Sequence, residues 1–178
     1  MKFFKTREIA LIGMLSAFNI ASRVTLQFLP NIKPVTSIII MVSIIFGPTF
    51  GIAVAVVTTI VSNMLLGMGT WTIFQILAWS MIALLAGLLG KGLRTLPIFW
   101  MALFSAICGF IFGFFVSLDK LLIAGPGAFL AYYFAGLSFD MLHAIGNFAF
   151  YLICAPIFIP ILKKQKNLIA LNKTKDYS

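Results

Sequence analysis

The chain has 178 residues, 62% hydrophobic and 10% charged, with a formal net charge of +9. So few polar residues cannot clothe a water-soluble fold, so lipid must be the solvent for most of the chain and a soluble globular protein is excluded. A basic balance admits nucleic acid or an anionic membrane surface, and the cations' position at the ends of apolar runs selects the membrane.

A spanning helix needs roughly 20 apolar residues. The first candidate is 9–29, too long for a signal-peptide core and without a small-residue cleavage site. Residues 30–34, Pro-Asn-Ile-Lys-Pro, form a rigid turn because prolines break helix on both sides. The second candidate, 35–46, is short for a crossing and is expected to be tilted or shielded by neighbours. Gly47-Pro48 ends it; 49–66 is the third helix, the glycine-rich 67–71 a turn, 72–89 the fourth helix, closed by Lys91-Gly92-Leu93-Arg94. Residues 96–118 make the fifth, and 119–127 a loop. The stretch 128–162 is too long for one helix and is divided near Gly136, leaving a final helix over 137–162. The expectation is one all-α polytopic membrane domain over 1–178, with about six spans and a basic tail from residue 163.

Lys2, Lys5 and Arg7 precede the first helix, Lys91 and Arg94 follow the fourth, and Lys163, Lys164, Lys166, Lys173 and Lys175 lie in the tail. An even number of spans puts all of these on one side, which the positive-inside rule makes cytoplasmic, with both termini. Only Lys33 and Lys120 fall in the opposite loops.

Polar groups within the spans are costly, so they face the bundle interior or a wet cavity. Asn19, Arg23 and Gln27 share a face of the first helix; Asp140, His143 and Asn147 share a face of the last. Gln75 and Trp79 follow Trp71 on the fourth, and Ser62 and Asn63 end the third. With Asn31 and Lys33 of the 30–34 turn, most of these lie in the outward half; Asn19 and Asn147 lie deeper. A one-sided cluster points to a pocket open to the outside rather than a channel or proton wire. Asp140 serves equally as the structural counter-ion of Arg23, His143 as a hydrogen-bonding pocket residue, proton relay or metal ligand, and Trp71 as an interfacial belt residue. Cys108 and Cys154 sit in apolar runs with no ligand spacing and read as inert core residues.

Gly13, Ala17 and Ala21 are four apart and lie almost opposite the polar stripe, since residues 17 and 19 are about 200° apart on a helical wheel. Such a stripe admits close approach of another helix, from a partner or from this chain. No GxxxxGK[ST], HExxH or GxSxG sequence is present, so uphill transport must draw energy from a partner or an ion gradient.

The stripe Gly13/Ala17/Ala21, the outward turn 30–34, Gly-Pro-Thr-Phe-Gly at 47–51, Ser-Asn-Met at 62–64, and the run from Gly67 through Gly69, Trp71, Thr72 and Gln75 to Trp79 together resemble the S-components of energy-coupling factor (ECF) transporters. These are small six-helix vitamin binders, and the likeness covers nearly the whole chain. The motifs over 31–79 look most like the cobalamin-type branch, with riboflavin, folate and pantothenate as alternatives. The resemblance implies a non-enzymatic subunit without a cofactor of its own, in the cytoplasmic membrane of a bacterium. It implies vitamin capture from outside by Arg23, Gln27, Asn31, Lys33, Asn63, Trp71, Gln75, Trp79, Asp140, His143 and Asn147. It also implies docking through Gly13, Ala17 and Ala21 onto a transmembrane coupling subunit that carries two ATPases, where ATP and magnesium bind. The competing reading is an ion-coupled transporter or half-transporter using Asp140 and His143.

Overall fold

The computed structural model describes residues 4–175, with side chains to Leu171; Lys2 and the side chains of Lys173 and Lys175 lie outside the described residues. The described chain is helical, with no strand. Helix α1, Thr6–Thr25, begins where the Glu8 carboxylate accepts the Lys5 backbone N–H at 2.8 Å. It stops short of the expected residue 29. The Ser22 and Thr25 hydroxyls donate to the Asn19 and Ala21 carbonyls, and 26–29 wind into turns.

Helix α2, Val35–Phe46, starts after Pro34 and ends at Gly47, whose φ of 100° suits glycine. Pro48 then opens α3, Pro48–Leu66, at a position where its missing N–H costs nothing. Helix α4, Trp71–Leu88, and the single turn α5, Gly90–Leu93, follow. Every α2 residue from Val35 to Ile45 is buried, so its shortness is accommodated by neighbours on all sides. The core gathers on it: Ile38, Ile39, Met41 and Val42 pack with Val54 of α3 and Ile82 of α4.

Helix α6, Ile98–Lys175, is two helices meeting at Gly125 (φ 83°, ψ −178°), a backbone conformation essentially confined to glycine. The arms, 98–124 and 126–175, fold back on each other: Phe99 meets Phe148 at 5.8 Å, Phe114 meets Tyr133 at 5.7 Å, and Gly109 lies against the Ala144 backbone. The break therefore falls at Gly125, not Gly136. The expected loop over 119–127 is helical on both sides of that single residue, and the helix after it continues through the expected tail at 163–175.

Pro48–Leu66, Trp71–Leu88 and, counted across the Gly125 break, Ile98–Leu171 are long and apolar enough to cross a membrane, with Val35–Phe46 a shorter apolar helix. The bundle has two chemically distinct ends. At one, Arg94 and Lys166 donate to the last carbonyls of α2, Ile44 and Ile45, neutralising the negative end of that helix. At the other lie Asn31, Lys33, Trp71, Asp119 and Asp140.

Candidate functional site

A cavity of about 560 Å³ opens at this second end. Trp71 and Gln75 of α4 form one side, and Phe112, Gly113 and Ser117 of the 98–124 arm another. Tyr132, Phe139 and Asp140 of the 126–175 arm, with Asn31 of the α1–α2 turn, complete it. Aromatic walls with a few polar groups are the usual makeup of a small-molecule site. Asp140 is 6% exposed and has no hydrogen-bond or ion-pair partner among the described residues. Gly113 makes room for it, because a Cβ there would fall on the carboxylate. Asp119 accepts from the Thr70 hydroxyl at 3.1 Å and pairs with Lys120 at 2.9 Å, and Lys120 in turn sits over the Tyr132 ring.

Behind the cavity a buried chain of hydrogen bonds fixes its inner wall. Asn31 Nδ2 donates to the Phe139 carbonyl (3.0 Å), which leaves Asn31 Oδ1 to accept from His143 Nδ1–H (2.9 Å). His143 Nε2 is then the acceptor for the Thr36 hydroxyl (2.9 Å), whose oxygen accepts from Trp79 Nε1–H (3.0 Å). Every donor meets an acceptor only if His143 is neutral with its proton on Nδ1. Phe112 connects this layer to the cavity, stacking on His143 at 5.0 Å and meeting Trp79 at 4.6 Å.

Arg23 lies over the Trp79 ring at 5.1 Å and donates to Ser62 at 2.5 Å. It forms no ion pair with Asp140 among the described residues, so the expected counter-ion pairing is absent. Asn63 donates to Thr72 at 2.9 Å and to Gln75 at 2.8 Å, bracing α3 against α4. Lys33 donates to the Leu29 carbonyl at 3.1 Å; burial, and behind it the Arg23 charge, hold its ammonium below the usual lysine range. Gln27 is exposed and off the cavity lining. Asn147 is fully buried, its side-chain amide without a hydrogen-bond partner among the described residues, while its backbone carbonyl accepts from Ser37 at 3.0 Å.

Of the expected binding residues, then, Asn31, Trp71, Gln75 and Asp140 line the cavity. Trp79, His143, Arg23 and Asn63 stand behind or beside it, and Gln27, Lys33 and Asn147 do not line it. Sequence reasoning missed Phe112, Gly113, Ser117, Asp119, Lys120, Tyr132 and Phe139. Their spacing carried the signal: 113, 117 and 120, and 132, 136 and 139, recur at three and four as one face of a helix does. Gly13, Ala17 and Ala21 are exposed on the outer face of α1, while Asn19 and Arg23 are buried on the inner one. No group of histidine, cysteine and acidic residues fit to hold a metal occurs among the described residues.

No curated protein and no solved structure matches the chain. A family model does, over residues 3–174: the ECF-type riboflavin transporter S component. It gives no support to the cobalamin-type likeness of residues 31–79. S-components of ECF transporters are non-catalytic, substrate-binding membrane subunits that work with a vitamin and an ECF module. With a helical membrane fold and a match over nearly its whole length, the chain belongs to the family of ECF-type riboflavin transporter S components.

Proposed function

We propose that the chain captures riboflavin, a flat heteroaromatic vitamin, from outside a bacterial cell, and delivers it to a coupling subunit bearing two ATPases. The observation that carries this reading is the cavity of about 560 Å³ walled by Trp71, Phe112, Tyr132 and Phe139. Its volume lies in the range that encloses a small ligand, and its rings offer stacking partners to a planar one. Asn31, Gln75, Ser117 and Asp140 supply hydrogen-bonding groups for a polar ring edge and a hydroxylated side chain. Cobalamin, a far bulkier macrocycle, would need more room than a cavity of about 560 Å³ encloses. The exposed stripe Gly13/Ala17/Ala21 suits close docking of the coupling subunit, since a Cβ at Gly13 would meet nothing of this chain. Ion coupling through Asp140 and His143 is disfavoured, because His143 commits both ring nitrogens to Thr36 and Asn31.

The test is titration of the purified chain with riboflavin, followed by flavin fluorescence. Stacking on the cavity aromatics should quench it saturably at one vitamin per chain, and Phe139→Ala should weaken binding by about tenfold, the scale of one lost aromatic contact. Saturable binding of cobalamin with no riboflavin binding would replace the vitamin; quenching unchanged in both Phe139→Ala and Asp140→Asn would move the site elsewhere.

A further inference from the structure

A second cavity, of about 370 Å³, lies at the opposite, basic end of the bundle. Its 126–175 wall is formed by Tyr151, Ala155, Pro156, Ile159, Pro160 and Lys163. These recur at three and four over twelve helical steps, so the cavity runs about 18 Å along that helix axis. Alanine and the two prolines put only short side chains on this face, which leaves the space open. Met41 and Ile44 of α2, with Leu96, Ile98 and Met101, close the other sides. The groove is thus elongated, apolar and parallel to the helices, as an acyl chain is in a bilayer.

Its two ends differ from its walls. At the basic end stand Arg94 and Lys163. Arg94 directs Nε and Nη2 to the Ile44 and Ile45 carbonyls, which leaves Nη1 uncommitted, and Lys163 has no acidic partner among the described residues. Lys166 lies alongside, on the Ile45 carbonyl at 2.5 Å. Among the described residues no acidic side chain pairs with these cations. Asp119 and Asp140 are at the other end, Glu8 caps α1, and Asp176 lies outside the described residues. At the deep end, Tyr151 is 2% exposed, lines the cavity, and makes no hydrogen bond among the described residues.

We infer that this groove holds one anionic phospholipid of the cytoplasmic leaflet. One acyl chain lies between α2 and the 126–175 arm, and the phosphate accepts from Arg94 Nη1 and Lys163. Basic pockets between membrane helices on the cytoplasmic side favour anionic headgroups over zwitterionic ones by this same charge balance. The site is independent of the vitamin reading. It lies at the opposite end of the bundle and stands or falls separately.

The test uses the purified, delipidated chain in detergent, titrated with dioleoylphosphatidylglycerol or dioleoylphosphatidylcholine and read by native mass spectrometry. The phosphatidylglycerol adduct should form at one per chain and at least about tenfold more tightly, as two cations without acidic partners predict. Lys163→Gln, an exposed change, should weaken it about fivefold, the equivalent of about 1 kcal/mol. Ala155→Leu should fill the groove and reduce the adduct while thermal unfolding of the lipid-free protein reports whether the variant folds. Inorganic phosphate at millimolar concentration should not compete; if it displaces the lipid, the cations alone form the site and the groove does not. Equal retention of the two lipids, or wild-type retention in Lys163→Gln, overturns the inference.

Discussion

Thr36 is the hinge of the buried network, because its one hydroxyl serves two partners. It donates to His143 Nε2 and accepts from Trp79 Nε1–H, and neither of those atoms has another hydrogen bond among the described residues. Replacing Thr36 by valine keeps the shape and strands both partners in a buried setting. Each stranded group costs about 1–3 kcal/mol, so Thr36→Val should destabilise the protein by about 2–6 kcal/mol. Thr36→Ser keeps the hydroxyl and removes only a methyl, for about 1 kcal/mol. Thermal unfolding in detergent ranks the two; a valine variant as stable as the serine variant would show that the hydrogen bonds do not carry the inner wall. Residue-level legibility followed the same division. Asn31, Trp71, Gln75 and Asp140 stood out because polar or indole groups in apolar runs are few. Thr36 was hidden because a threonine in an Ile/Val-rich helix is ordinary until its partners are known.

At the scale of the element, the region 119–136 shows why part of the site was not legible. Asp119, Lys120, Gly125, Pro126 and Gly127 fall close together, and that composition reads as a loop. In the structure only Gly125 leaves helical geometry, and Pro126 begins the next helix, where it is tolerated. Reading a loop there removed the helical register that sets Lys120 over the Tyr132 ring, and so hid the part of the cavity lined by Asp119, Lys120, Tyr132, Ala135 and Gly136. The two glycines at issue separate cleanly. Gly125→Ala forces an L-residue into a glycine-only conformation and should cost about 1–3 kcal/mol. Gly136→Ala adds a methyl that meets nothing within 4 Å inside a regular helix and should be neutral or stabilising by up to about 1 kcal/mol. Equilibrium unfolding of both variants decides it, and the reverse order would return the hinge to Gly136.

The whole molecule is polarised. Lys91, Arg94, Lys163, Lys164 and Lys166 gather at the end where α2 finishes, with Lys5 and Arg7 at the start of α1, while Asp119, Asp140 and the cavity of about 560 Å³ occupy the other. This arrangement was legible from the sequence, because it depends on which loops carry cations and not on where each helix ends. By the positive-inside rule the cation-rich end is expected in the cytoplasm, which would turn the cavity outward, as the proposed capture from outside requires. Cysteine labelling tests the assignment on either side of the 98–124 arm. In a background lacking Cys108 and Cys154, Leu122→Cys occupies an exposed position near the cavity end, and Lys91→Cys an exposed position at the basic end. A membrane-impermeant maleimide applied to intact cells should label residue 122 alone, with residue 91 reacting only after permeabilisation. The opposite pattern would invert the protein and put the cavity on the cytoplasmic side, where it could not take up a vitamin from the medium. Labelling of both in intact cells would mean that the 98–124 arm does not cross, and would dismiss the even span count on which the orientation rests.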